Sequence, residues 1–339
     1  MTTLEDLPPH KQKLAQGLLG HPLDGPHSVN SYRRAWGLEP LEALPNVPTI
    51  REARGLGDVV ASVIKTVTFG YVRPCGGCTD RQEYLNRMVP FSTGASKLKW
   101  AYGVTTVPSR LNNGLLEGTL TSLRKAGFDF PRLFVDGASN GFERFNLPVT
   151  YRADTIRTAG NWTLSLMELY IREPLADRYA VFQDDFVTYS GLREYLESIE
   201  YPARGYWNLY TFPHNQPEQL AVRIEDGKRT HPDLDPNQRG FYRSDQYGKG
   251  AVALVFDLNA VTTLLSSQHL VQRVKDPIRG HRCIDGGIVE ALKQAGYTEY
   301  VHNPSLVQHT GLTSSMGNPT HAQAVSFCEG ADIRQLMVK

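Results

Sequence analysis

One tripeptide in this chain has residue types suited to metal or phosphate chemistry: Gln183-Asp184-Asp185, directly after the apolar run Tyr179-Ala180-Val181-Phe182. A short apolar run of this kind reads as a buried strand. The two carboxylates then fall at its carboxyl end, where open α/β sheets bind ligands. Adjacent carboxylates in such a place require cations, donors or solvent to offset their desolvation. A divalent cation bridging to a diphosphate meets that need, because hard oxygens suit Mg²⁺ or Mn²⁺. The competing reading is a solvated strand-to-helix turn in which an Asp caps the helix expected at Gly191–Leu196.

The elements that must position these carboxylates follow from hydrophobic periodicity. A strand is expected over Trp100–Val107, running out into Thr105-Thr106-Val107-Pro108-Ser109-Arg110. A helix is expected over Leu115–Lys125, with Leu115, Leu116, Leu120 and Leu123 on one side. Arg132–Val135 reads as a strand ending at Asp136-Gly137, and Thr163–Ile171 as a helix with Leu164, Met167 and Ile171 at helical spacing. This β-α-β-α-β order implies an α/β fold with a mainly parallel sheet covered on both faces. Further on, strands are expected at Tyr206–Tyr210, Ala251–Phe256 and Glu299–Val301, and helices at Leu258–Leu265 and Asp285–Gln294. Residues 213–249, polar and rich in Asp, Arg and Pro, read as a long connection, and such connections are usually functional or mobile.

Residues 1–95 differ in character. Pro and Gly are frequent, and only short helices are expected, at 10–19, 59–67 and 79–88. They read as a small helical N-terminal region, with 96–339 as the main α/β domain. Over all 339 residues, 36 basic and 35 acidic side chains leave a formal net charge of +1. Such a balance gives no strong field for bulk polyanion binding, although a local basic groove stays compatible with it. No secretory signal and no apolar run long enough to cross a bilayer is evident, so a soluble, cytoplasmic protein is expected. The four cysteines, Cys75, Cys78, Cys283 and Cys328, do not form a disulfide framework. Cys75-Gly76-Gly77-Cys78 supplies half of a zinc site, the alternative being plain structural thiols.

Four segments together resemble nucleotide-sugar glycosyltransferases of the GT-A fold, in particular the inverting N-acetylglucosaminyltransferase IV-like group. They are Val104–Arg110, Gly160-Asn161-Trp162, Phe182–Asp185 and Pro304–Gly311, within a stretch from about Trp100 to Phe327. The resemblance implies a GT-A (Rossmann-like) mixed, mainly parallel sheet flanked by helices. It also implies a metal-dependent transferase that takes a UDP-sugar. By the same resemblance Thr105, Thr106, Pro108 and Arg110 would line the nucleotide, with Arg110 pairing with a phosphate. Asp136 would accept from uracil or ribose, the alternative being an Asp-Gly turn. Arg157, Asn161 and Trp162 would border the donor, although Trp162 reads equally as core filler.

The family's metal motif is acidic-any-Asp, and Gln183 departs from its first position. Asp185 becomes the main ligand implied, with Asp184 orienting the sugar or the metal's water and His309 completing the shell. Imidazole favours Mn²⁺ over Mg²⁺. The implied general base is Asp285, in Cys283-Ile284-Asp285-Gly286-Gly287, with a plain N-cap as the rival reading. Arg243, Lys249 and Arg282 are candidates for cationic support of a phosphate or an acceptor. Residues 74–91 resemble cysteine-pair segments of phage and environmental bacterial proteins. That likeness implies a hydroxymethylated DNA base as one acceptor, a base that would have to be made reachable from the duplex. Tyr242, Arg243, Tyr247 and Lys249 would then suit stacking and phosphate contacts. A glycan, lipid-linked or small-molecule acceptor is the alternative, as is a catalytically silent nucleotide-sugar-binding module.

Overall fold

The structure, a computed structural model, describes residues 30, 33, 37–41, 98–212, 215, 223–225, 228–230, 239–244, 250–267, 270, 284–311, 323–324, 326–330 and 332–333, with backbone alone at 223–225 and 228–230. The helices expected at 10–19, 59–67 and 79–88, the Cys75/Cys78 pair, Tyr247, Lys249, Arg282 and Cys283 lie outside the described residues. The chain divides into two compact units, Met1–Pro40 with Lys99–Lys339, and Leu41–Leu98.

The strands of the first unit are β1 (Trp100–Thr106), β2 (Arg132–Val135), β3 (Val149–Tyr151), β4 (Arg178–Gln183), β5 (Phe186–Thr188), β6 (Gly205–Asn208), β7 (Arg223–Glu225), β8 (Lys228–Thr230), β9 (Gly240–Arg243), β10 (Ala253–Phe256), β11 (Thr298–Asn303) and β12 (Val307–His309). The α-helices described over their whole length are α1 (Leu115–Lys125), α2 (Arg157–Arg172), α3 (Leu192–Ser198), α4 (Leu258–Ser266) and α5 (Asp285–Gln294). Eight strands form one sheet in the order β3-β2-β1-β4-β10-β6-β11-β9. Six run one way, while β10 and β9 run against them. The fold is therefore mixed α/β with a mainly parallel sheet, as the strand–helix alternation implied.

Burial explains the layering. In β4 the residues Tyr179 to Phe182 are all fully buried, which suits a central strand covered on both faces. On one face Val104, Phe182 and Trp207 pack with Leu116, Leu120 and Leu123 of α1 and with Phe186 and Val307. The last two belong to a two-stranded antiparallel ribbon, β5–β12, which α1 grips by side chain. Thr119 Oγ1 donates to the Phe186 carbonyl at 2.9 Å and accepts from the Phe186 N–H at 3.0 Å, and Ser122 repeats the pattern at Thr188. On the other face Trp162 of α2 meets Phe256 edge-on, with ring centroids 6.0 Å apart. A charge cluster pins α2 beside β2 and β3: Glu168, 2% exposed, takes Arg172 at 2.8 Å, Thr150 Oγ1 at 2.7 Å and Arg152 at 3.4 Å. The C-terminal carbonyls of α2, Ile171 and Arg172, accept from Arg33 at 2.9 and 3.1 Å, a cationic helix end.

The polar stretch expected as one long connection contains β9, the edge strand of the sheet, which pairs antiparallel with β11. Its residues Phe241 and Tyr242 are half-buried. The strand's identity comes from a pairing with residues some sixty positions downstream, which local composition does not carry.

Candidate functional site

Strand order reverses between β1 and β4: the chain extends from β1 through β2 to β3 on one side and passes to β4 on the other. A crevice outside the carboxyl ends of the strands at such a switch point is where doubly wound sheets bind ligands. Thr105 and Thr106 end β1 there, and Gln183-Asp184-Asp185 ends β4.

Four segments converge on the two carboxylates. Thr106 Oγ1 donates to Asp184 Oδ2 at 2.6 Å. Arg110, in the short turn Pro108–Asn112 after β1, puts Nη2 2.7 Å from Asp185 Oδ2 and Nε 3.4 Å from Asp184 Oδ1. His309, the last residue of β12, brings Nε2 to 3.4 Å from Asp185 Oδ1. The β5–β12 ribbon makes this meeting possible: His309 lies opposite Phe186 in register, and the Thr310 N–H donates to the Asp185 carbonyl at 2.8 Å. Arg110, Asp184, Asp185 and His309 are each at least nine-tenths buried. Burial, and then the neighbouring Asp185 charge, push the Asp184 carboxyl up to about 7 against the opposing pull of Arg110 and Thr106. The Tyr210 hydroxyl, whose ring centroid lies 6.3 Å from that of His309, is pushed up by burial and then by Asp185.

Gly311 closes the back of the cluster. A Cβ there would lie 2.8 Å from Asp185 Oδ2 and 3.1 Å from His309 Cε1, so only glycine fits without displacement. Neither Gly311 nor Tyr210 stands out in the sequence. Their place follows from the ribbon register, though Gly311 does close the Pro304–Gly311 segment.

The fit to a metal is partial. Among the described residues no three His, Cys, Asp or Glu side chains form a cluster that could hold an ion. Three of the four carboxylate oxygens already face Thr106 or Arg110. The fourth, Asp185 Oδ1, is buried without a hydrogen bond and faces His309 Nε2. An acceptor pair of this kind suits a hard or borderline cation whose other positions are filled by phosphate or water. Gln183 contributes nothing to it, since its Nε2 donates to the Ala251 carbonyl at 3.0 Å.

Asp285 starts α5 at the same end of the sheet and is half-buried. Its Oδ2 accepts from the N–H groups of Gly250 at 2.8 Å and Ala251 at 3.3 Å, the turn leading into β10. Ala251 is also the residue that receives Gln183. Asp285 is thus joined to the end of β4 through one backbone turn, and its carboxylate is oriented by two N–H donors rather than capping its own helix, which carries no side-chain cap.

The remaining expected residues separate clearly. Arg110 is buried and directed at the two carboxylates. Asn161 is 2% exposed, accepts from Arg152 Nε at 3.0 Å and donates to the Phe134 carbonyl at 2.9 Å. Trp162 is 1% exposed. Both are interior residues. Asp136 is buried, and its Oδ1 accepts the Ile156 N–H at 2.7 Å, which fixes the entry to α2. Thr105 is half-buried, with Oγ1 donating to the Phe182 carbonyl at 3.2 Å, and Pro108 is half-buried beside Gly137. Arg157 is exposed at the first position of α2 with φ of 61°, an uncommon conformation for a residue with a side chain. Arg243 is exposed on β9 opposite Tyr300, three positions back from Asn303, so its backbone lies about 10 Å from the sheet's carboxyl edge.

The fold and site define a mixed α/β protein with a buried carboxylate–arginine–histidine cluster at its topological switch point. No family model matches the chain, and no curated protein does. Among solved structures, it is similar to a Bacillus anthracis protein described as a glucose-1-phosphate thymidylyltransferase in complex with a sucrose, at 13% identity over 62% of this chain and 90% of that one, with a TM-score of 0.36. It is also similar to a mannose-1-phosphate geranyltransferase from Thermus thermophilus, at 12% identity over 60% and 73%, with a TM-score of 0.34. At these scores the likenesses carry no argument, and the site stands on its geometry. No helix among the described residues is long and apolar enough to cross a membrane.

Proposed function

We propose that this protein is an inverting glycosyltransferase of the GT-A type that moves a sugar from a UDP-sugar to an acceptor hydroxyl. The observation that supports this reading most is the meeting of Asp185, from the end of β4, with His309, from the end of β12, beside the β1/β4 switch point. These residues are 124 positions apart, and the resemblance assigns both to one cation.

In this reading the diphosphate lies over the ends of β1 and β4, with Thr105, Thr106 and Pro108 beneath it. Mn²⁺ or Mg²⁺, held by Asp185 and His309, would supply charge neutralisation for the departing diphosphate. Asp285 accepts the proton of the acceptor hydroxyl as that oxygen forms its bond to the anomeric carbon. The bond from that carbon to the diphosphate oxygen breaks on the opposite face, and UDP leaves with the electron pair. The backbone donors of Gly250 and Ala251 hold the Asp285 carboxylate in place for that step. A hydroxymethylated base in DNA is the acceptor to try first. The alternative is a glycan, lipid-linked or small-molecule hydroxyl. A binding module without turnover is favoured by one observation, the turning of Gln183 away from the carboxylates.

The test is release of UDP from a panel of UDP-sugars, with and without Mn²⁺ and with and without hydroxymethylated DNA. Turnover of one donor is expected. Binding of UDP with no turnover of any donor selects the silent module, and absence of both UDP binding and turnover overturns the reading.

A further inference from the structure

We propose that Phe212, stacked on Tyr210, is a positioning residue for Asp285: the two rings brace the turn at Gly250 and Ala251 whose N–H groups aim that carboxylate. The inference rests on the reading of Asp285 as the base and adds to it the part of the fold that holds the base in line.

The geometry starts just past the carboxyl end of β6. Tyr210 and Phe212 lie face to face there, with ring centroids 4.6 Å apart and planes 12° from parallel. Their backbone is fixed separately: the Tyr210 N–H donates to Asn208 Oδ1 at 3.1 Å, and the Phe212 carbonyl accepts the Asn215 N–H at 2.9 Å. Tyr210 is buried and Phe212 half-buried. Both rings press on Gly250. A Cβ there would lie 2.6 Å from Phe212 Cε1 and 3.0 Å from Tyr210 Cδ1, and the backbone takes a φ of 80°. Glycine meets both conditions, yet it constrains its own backbone least of all residues. The turn therefore takes its shape from what holds it: the rings against Gly250, and the Val252 N–H on the Gly250 carbonyl at 2.7 Å. The N–H groups of Gly250 and Ala251 both act on one oxygen, Asp285 Oδ2, at 2.8 and 3.3 Å. A general base works only within hydrogen-bond reach of the proton it takes, so slack in this turn becomes slack in the base. Tyr210 also lies beside His309, with ring centroids 6.3 Å apart. The same stack thus touches the switch-point cluster and the turn that aims Asp285.

Phe212→Leu keeps an apolar side chain and removes the planar face. It should lower kcat for transfer by about 10–10²-fold while leaving the KM for the UDP-sugar unchanged, and Phe212→Tyr should restore the rate. In an Asp285→Asn background, Phe212→Leu should cost nothing further, because a residue that acts through the base loses its effect when the base is gone. A second readout needs no turnover. The Gly250 amide proton donates to a carboxylate, so its resonance should move upfield in Asp285→Asn and in the same direction in Phe212→Leu. Should Phe212→Leu fail to fold, Phe212→Met takes its place under the same readouts. In wild type, the Gly250 Hα should already be shifted upfield by the two rings. A Phe212→Leu rate equal to wild type, an equal loss with and without Asp285, or a Gly250 amide that does not move overturns the proposal. If UDP-sugars are still turned over in that case, the transferase reading survives and only the brace falls. If the Gly250 amide moves as expected in both variants while no UDP-sugar is turned over, the brace on Asp285 stands and the transferase reading falls.

Discussion

Acidification should loosen the segment that carries His309, through His302. This ring is fully buried. The Pro304 carbonyl, 2.6 Å from Nδ1, can only accept, so the proton sits on Nδ1 and Nε2 accepts from the Tyr195 hydroxyl at 2.5 Å. Tyr195 and Phe241 pack edge-on against it. Burial lowers its pKa to about 4 from 6.5, with the Pro304 carbonyl raising it and Arg239 lowering it further. The unfolded chain therefore binds more protons between these values. Stability is fully present above pH 6.5 and is lost as pH falls through 4. A shift of that size costs about 2 kcal/mol at pH 5 and about 3 kcal/mol at pH 4. The loss falls on a polar knot in which Thr211 Oγ1 donates to the His302 carbonyl, the Thr211 N–H to Ser305 Oγ, and Ser305 Oγ to the Val307 carbonyl. That knot leads directly into β12. The assay is urea denaturation of wild type and His302→Gln at pH 7.5 and pH 5, with the difference of differences isolating this ring. Wild type should lose about 2 kcal/mol more than the variant. Equal losses, or a His302 proton resonance titrating near 6.5, would refute the reasoning.

Three further outcomes are expected. Gly311→Ala should cost about 1–3 kcal/mol in denaturation and weaken UDP–Mn²⁺ binding in calorimetry, because its Cβ would fall 2.8 Å from Asp185 Oδ2; unchanged values for both would mean the cluster is not packed as described. Glu168→Ala should cost about 3–5 kcal/mol, because Arg152 would stay buried beside α2 without its carboxylate, and a cost below about 1 kcal/mol would show the cluster to be idle. Asp285→Asn should lower transfer by about 10²–10⁴-fold while leaving UDP binding intact, whereas lost UDP binding would make Asp285 a donor-site residue instead.

Much of the scaffold was legible because its elements announce themselves locally. The limits of α1, β2 and α5 match the leucine spacing, the apolar run and the Asp285 start read from the sequence. The carboxylates at the end of β4 were legible for the same reason. The illegible parts depend on distant pairing. β5 and β12 have three residues each and no periodicity to show, yet their ribbon is what brings His309 to Asp185. The meeting of those two residues came from the resemblance, not from the pattern of the chain. Arg110 illustrates the opposite case. Its type and its place after β1 suit a phosphate, but two buried carboxylates hold it in the fold. Asn161 and Asp136 are polar residues in a loop-and-helix stretch, and their use on the Phe134 carbonyl and the Ile156 N–H is a matter of backbone satisfaction that spacing does not reveal.

The most direct measurement is a crystal structure of the protein soaked with UDP and Mn²⁺. The account predicts diphosphate density over the carboxyl ends of β1 and β4, with a cation about 2.0–2.3 Å from Asp185 Oδ1 and His309 Nε2. A nucleotide bound at any other place, or a crevice left empty at millimolar UDP, would contradict it.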